Sequence, residues 1–192
     1  MTIFLILAPY GAFAFLMLGT SAPVSLFSAA AICLAVIAFD VARSRSVKIL
    51  GVGSVIVFAA VGGYVALVDP AAGATAVKFA VDAGIFLVSL LSIVFRRPFT
   101  MQYALEAVDA ETAKLPGFRY ANYLITWAWT AAALLMMVGN IAMLYVPDLP
   151  LWSGLLIAFA ARNCAVYFTK WYPQYRKAKY GTAPVNALPG TH

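Results

Sequence analysis

Arg162 lies eleven residues into an apolar run that begins at Leu151, with Asn163 beside it. At about 1.5 Å of rise per helical residue that is about 16 Å, near the middle of a hydrocarbon layer about 30 Å thick. A guanidinium at that depth costs at least about 2.5 kcal/mol, so it is expected to face other helices and to meet a carboxylate. Asp82 is the first candidate, about 9 Å inside the matching end of its own apolar run, and Asp40 is the second. Lys78, four residues before Asp82 on the same face, competes for it. Such a pair can be structural, or it can relay protons or ions. Snorkelling of Arg162 toward the interface is the plainer alternative.

A second polar pattern runs along the stretch that starts near Tyr120. Asn122, Thr126, Thr130, Ala133, Met137 and Asn140 are spaced 4, 4, 3, 4 and 3 residues apart. At about 100° per residue they share one helix face about 80° wide. Lipid does not favour this face, so it must meet other helices or a cavity. Hydrogen bonds between helices, worth about 0.6–2 kcal/mol each, are one use for it. A polar path for a solute is the other.

The residues that usually carry catalysis are missing or scattered. The only histidine is His192, the last residue, which removes the commonest general base. Cys33 and Cys164 fall inside apolar runs and read as small buried hydrophobes, and no spacing points to a metal or a disulfide framework. Glu106, Asp109 and Glu111 form an acidic group, but without a histidine they read more simply as a solvated helix face. No catalytic residue, metal or cofactor is therefore expected, and the chain reads as a non-enzyme.

The elements that position these residues follow from composition. Of 192 residues, 64% are hydrophobic and 10% charged, against about 25% charged in soluble domains. Too little polar surface remains to face water on all sides, so lipid must be the solvent for much of the chain. The fold class is all-α, a polytopic membrane bundle of about six transmembrane helices. The spans are placed at about 2–18, 24–39, 49–68, 76–95, 120–146 and 151–169. Turns at 19–23, 69–73 and 147–150 carry the glycine and proline that punctuate helices. The small-residue pair Ala59 and Gly63 is expected to pack against a neighbouring helix. Residues 1–180 read as one membrane domain and 181–192 as a disordered tail. The first run lacks the positive flank of a signal peptide and is expected to be retained.

The longest polar break follows the fourth span. Arg96, Arg97 and Pro98 end that helix, and Thr100 can cap a new one. Met101, Ala104, Leu105 and Val108 share a face, which predicts a short amphipathic helix on the cytoplasmic membrane surface. Arg96, Arg97, Pro98, Phe99, Thr100, Gln102, Tyr103 and Trp127 are the candidate turn and docking residues of this region. The alternative is an ordinary linker with interfacial anchors. Eleven of the 13 cations fall in three segments: the loop after the second span, this break, and the C-terminal segment. The positive-inside rule then gives a multi-pass protein of a bacterial inner membrane with both termini cytoplasmic. Anionic headgroups are the expected partners of those cations. Gly- and Ala-rich faces permit a homo-oligomer or contacts with other envelope proteins. No motif of nucleic-acid binding is present.

The turn Arg96-Arg97-Pro98, the run Pro116-Gly117-Phe118-Arg119, and Asn122, Trp127 and Asn140 carry a resemblance. Over about a quarter of the chain, from 96 to 140, the sequence resembles bacterial inner-membrane proteins of the intracellular septation protein A type. The resemblance implies a cell-envelope factor linked to septation or envelope maintenance, without a chemical activity. The run Phe99-Thr100-Met101-Gln102-Tyr103-Ala104 departs from that pattern and points to a sister group. The competing reading is a small-molecule or ion transporter built around Arg162 and Asp82.

Overall fold

The computed structural model describes residues 2–146, 149 and 151–180. The expected disordered tail at 181–192 and most of the expected turn at 147–150 lie outside the described residues. The chain forms α1 (Thr2–Leu16), α2 (Ala22–Ala42), α3 (Ile49–Leu67), α4 (Ala74–Val94), α5 (Phe99–Leu105), α6 (Ala110–Lys114), α7 (Pro116–Tyr145) and α8 (Leu151–Tyr180). No strand occurs among the described residues, as a chain solvated by lipid requires of an open architecture.

Four helices, α2, α3, α4 and α7, are long and apolar enough to cross a membrane. The six expected spans thus divide into two classes. α1 has 15 residues, about 22 Å of helix, and its apolar run Leu7–Leu16 is shorter than a full span. α8 has 30 residues but carries Arg162, Asn163, Lys170 and a basic, aromatic end.

Each long helix packs on its neighbours in chain order: α1 on α2, α2 on α3, α3 on α4, α4 on α7, and α7 on α8. The contacts run in opposite order along the paired helices, Gly53 with Val88 and Val57 with Gly84, Asp82 with Asn140 and Ser89 with Thr130, Gly139 with Ile157 and Met143 with Gly154, so α3–α4, α4–α7 and α7–α8 are antiparallel. The main core is centred on Phe58, which is fully buried. Tyr10 and Phe13 of α1 tilt onto its ring at 5.6 and 5.5 Å between centroids. Leu26, Ala29 and Cys33 of α2 and Val77 and Val81 of α4 complete it. A smaller core joins α7 to α8 through Ala132, Ala161 and Ala165.

Two helix pairs interlock through glycine. A β-carbon on Gly53 of α3 would lie 2.6 Å from a methyl of Val88 on α4, and one on Gly84 of α4 would lie 2.6 Å from a methyl of Val57 on α3. Glycine and valine are four residues apart on each helix, so each valine fills the notch left by the other helix's glycine. The α7–α8 pair repeats the device, with Gly139 against Ile157 and Gly154 against Met143. The expected packing pair does not have this role: Ala59 is exposed and Gly63 faces open space. Spacing alone put Ala59 and Gly63 on a common face, but it is Gly53 that faces α4.

α2 and α4 end in the same way. Ser44 and Arg96 take left-handed backbone angles (φ 55 and 56°). The N–H groups of Arg45 and Arg97 then donate back to the carbonyls of Asp40 and Ser92 at 2.9 and 2.8 Å. This closure caps orphan carbonyls at a helix C-terminus.

Gly84→Ala is expected to lower stability in detergent by about 1–3 kcal/mol through overpacking. Adding Val57→Ala should recover part of that loss, a coupling that a double-mutant cycle of unfolding midpoints measures. Independent, additive losses would argue against the interlock.

Candidate functional site

The polar stripe of α7 is spent on other helices. The hydroxyls of Thr100 on α5 and Thr126 on α7 lie 2.6 Å apart, and both reach the backbone oxygen of Asn122 at 2.9 Å. One turn on, the hydroxyls of Ser89 on α4 and Thr130 lie 2.6 Å apart, and Thr130 also donates to the Thr126 carbonyl. The Asn122 side chain donates to Phe118 O at 2.9 Å. Ser92 accepts from the Phe99 N–H at 3.3 Å, across the break between α4 and α5. Asn122, Thr126 and Thr130 are all buried, as is Ala133. The stripe is therefore a ladder of hydroxyls that ties α4 and α5 to α7. Ser89 and Ser92, which complete it, escaped the sequence reading. The spacing test that found the α7 stripe would have found them had it been applied to α4.

α5 packs against α7 and the end of α4. Pro98 takes the N-cap position, so Thr100 is free to bond across to α7 instead of capping. Pro98, Phe99 and Thr100 are buried, and the helix ends at Leu105, leaving Val108 beyond it. The opposite side of α5 reaches α3. Gln102 accepts from the N–H of Ile49, in the first turn of α3, at 2.7 Å, satisfying one of the four donors that a helix start leaves open. Glu106 pairs with Lys48 and also accepts from the Ser46 N–H and hydroxyl at 3.3 Å. Lys48 is only 4% exposed. It donates further to the Ser46 carbonyl at 2.7 Å, and its ammonium lies 5.7 Å from the centre of the Tyr103 ring.

Lys48 and Glu106 are the pair that sequence reasoning missed. They are 58 residues apart, and each looked like an ordinary solvated charge. The three carboxylates of the break go separate ways: Glu106 to Lys48, Asp109 to the Thr112 N–H as the cap of α6, and Glu111 to Lys114 at 3.0 Å on the surface. Partial desolvation would raise the Glu106 pKa, but the bonds from Lys48 and Ser46 outweigh it and hold the carboxyl below its ordinary value. The Thr112 N–H holds Asp109 low in the same sense. Burial pushes the Tyr103 phenol up.

Above α5 lies a narrow pocket of about 40 Å³, room for about one water molecule. Asp40, Arg45, Lys48 and Tyr103 stand around it, and Tyr10 and Ser54 also line it. Arg45 pairs with Asp40 at 3.6 Å, so Asp40 is committed and does not serve Arg162. The Tyr10 and Ser54 hydroxyls lie 2.5 Å apart, and Ser54 also reaches Leu50 O at 2.6 Å.

Arg162 stands near Tyr10. Its guanidinium carbon is 6.0 Å from the centre of the Tyr10 ring, and one nitrogen is 3.8 Å from the Met136 sulfur. It therefore faces α1 and α7. The expected ion pair does not form. The ion pairs among the described residues involve neither Arg162 nor Lys78, and Asp82 instead accepts from Asn140 at 2.7 Å. That bond brings together two members of the expected set that sequence reading had kept apart. Asn163 does not join them: it is exposed and donates to its own helix at Phe159 O. Cys33 is buried as expected, whereas Cys164 is exposed because it lies beside Asn163 on the outer face of α8. Arg96, Arg97 and Trp127 are exposed, while Met137 is half-buried between its neighbours on α7.

Glu106→Gln is expected to cost about 1–3 kcal/mol, since it strips a buried ammonium of its counter-charge. Because the folded carboxyl titrates below its ordinary value of 4.5, its contribution is fully present above that value and is lost as pH falls through the lowered one. Unfolding midpoints of wild type and variant should therefore differ at pH 7 and converge in acid. A constant gap across that range would exclude the pair as its source.

Comparison with protein-family models, with characterised proteins and with solved structures finds no match to this chain.

Proposed function

We propose that this protein is a non-enzymatic scaffold of a bacterial inner membrane, acting in the cell envelope through helix packing and partner contacts. One observation carries the reading. Among the described residues, every buried side-chain nitrogen or oxygen has a hydrogen-bond partner, and the α7 stripe is consumed by α4 and α5. A solute path needs polar groups left over for the solute, and this stripe leaves none. The loose resemblance to septation-type proteins agrees with such a role, as a sister group.

In this reading α1 and α8 join the four long apolar helices as spans, giving six, with both termini cytoplasmic. Three contacts support a shared basic end. Glu106 joins the break to Lys48 in the α2–α3 loop. Gln102 meets the start of α3. Arg176 near the end of α8 donates to Gly117 O at the start of α7 at 3.1 Å. Cations of all three basic segments thus gather at one end of the bundle, where anionic headgroups lie. Arg96, Arg97 and Trp127 remain exposed for a protein partner, either a second copy or another envelope protein. A second reading, transport of a small molecule or ion, draws on Arg162, which lacks a carboxylate in contact.

Single cysteines at Ala107 and Ser46, in a chain with Cys33 and Cys164 replaced, should react with an impermeant maleimide from the cytoplasmic side. A cysteine at Ala71 should react from the other. Labelling of 71 and 107 from one side would overturn the six-span arrangement. In liposomes loaded with a pH-sensitive or chloride-sensitive dye, the reconstituted protein should leave flux at the protein-free level. Flux that Arg162→Gln abolishes would replace the scaffold reading with the transport one.

A further inference from the structure

We infer that a second copy of this chain packs on the outer face of α8, where Asn163 pairs with its own counterpart across a two-fold axis. The dimer rests on the six-span reading, in which α8 crosses the membrane. Asn163 then lies about 18 Å from the start of α8, near the middle of a hydrocarbon layer about 30 Å thick. It is exposed. Its amide donates to Phe159 O of the same helix at 2.7 Å. A carboxamide has a second N–H and a carbonyl oxygen besides, and among the described residues nothing meets them. The polar side chains of α7 bond within the bundle, Thr130 to Ser89 and Asn140 to Asp82. Asn163 faces away from them, toward lipid, which offers neither donor nor acceptor.

A carboxamide is its own complement, because it carries a donor and an acceptor side by side. Two copies inserted in one membrane with the same orientation are related by an axis along the membrane normal. Residues of the same number then meet at the same depth, and two Asn163 amides can exchange a reciprocal pair of hydrogen bonds. Polar contacts of this kind hold helices together in lipid.

The surface around Asn163 permits the approach. Ala160 and Cys164, four residues apart, are both exposed beside it, and such small pairs let helix backbones come close. Ala161 and Ala165 have the same spacing about 100° away around the helix, and they are the residues that hold α8 to Ala132 of its own bundle. Ala160 lies between Asn163 and Cys164 in azimuth, so with Ala160 nearest the axis the other two flank it. Asn163 and Cys164, with Tyr167, Phe168 and Trp171, line a shallow open hollow. Its rim of rings interlocks with a copy of itself.

Cys164 supplies the probe. In membranes holding the Cys33→Ser chain, oxidation with copper phenanthroline should join two chains through Cys164, since thiols flanking the axis come within disulfide reach. Leu135→Cys, in a chain with both native cysteines replaced by serine, reports random collision. Leu135 is exposed on α7, between the Ala132 and Gly139 contacts with α8, and should cross-link far less. Energy transfer between chains labelled at Ala107→Cys, with both native cysteines replaced, measures dimerisation in liposomes as lipid is added. Asn163→Leu should weaken it about 5- to 30-fold, and Asn163→Gln, which keeps the carboxamide, should retain most of it. Equal cross-linking at Cys164 and Leu135→Cys overturns the dimer, as does cross-linking of Cys164 to a different protein alone. Undiminished energy transfer in Asn163→Leu also overturns it. An impermeant maleimide separates this failure from that of the span. If Cys164 stays unreactive in opened membranes and no dimer forms, the dimer fails and the span stands. If Cys164 reacts from water, span and dimer fall together.

Discussion

The contact on which the arrangement turns is the pair of hydroxyls, Thr100 and Thr126, that share the backbone oxygen of Asn122. α4 must end at the Arg96–Pro98 turn, and the chain needs a reason to pass back inward before it enters α7. In a low-dielectric interior a threonine hydroxyl without a partner is costly, so Thr100 fixes the position of α5 against α7. Once α5 is fixed, its other side must lie over the start of α3. Gln102 and Glu106 then meet Ile49 and Lys48, and the first half of the chain is joined to the second across the break. A seven-residue helix, too short to be stable alone, is held because each of its sides completes another element's hydrogen bonding.

Shape complementarity does the corresponding work away from that end. Between helices in lipid there is no water to expel, so close approach and dispersion must hold them. The reciprocal glycine notches of α3–α4 and α7–α8 supply that approach. They also fix register, since sliding one helix by a turn would drive valine or isoleucine into a filled surface. The α7–α8 interface also sets the height of Arg162 relative to Met136, and the α4–α7 contact sets that of Asp82 relative to Asn140.

Much of this was legible in the sequence. The helical class followed from the scarcity of charge, and the break at Arg96–Pro98 from proline chemistry. The α7 stripe was read as meeting either other helices or a cavity, and Thr126 and Thr130 meet Thr100 of α5 and Ser89 of α4. What stayed hidden depended on which elements meet. Lys48 and Glu106 each look solvated until α5 is laid over α3. Asp82 looked like the partner of Arg162 because depth was all that could be compared, and depth does not reveal that Asn140 comes first. Ala59 and Gly63 had the right spacing but the wrong azimuth. Thr100 had the right chemistry for a cap, and the tertiary partner across the break outcompeted the local one.

The unequal helix lengths give the bundle a lopsided profile along the bilayer normal. From the Ser89–Thr130 contact toward the basic end, α4 runs on for about 7.5 Å and α7 for about 21 Å, with α8 alongside through Arg176 and Gly117. The two-helix pair therefore runs about 14 Å beyond the end of α4 on that side, with α5 packed on its near part, and bears the stacked rings of Trp171 and Tyr175. At 19–21 residues α2, α3 and α4 are about 30 Å long, the thickness of an ordinary hydrocarbon layer, whereas α7 and α8, at 30 residues each, are about 45 Å long. A thicker bilayer can be accommodated by the long pair without tilt but strains the short set, so the two halves respond unequally to membrane thickness.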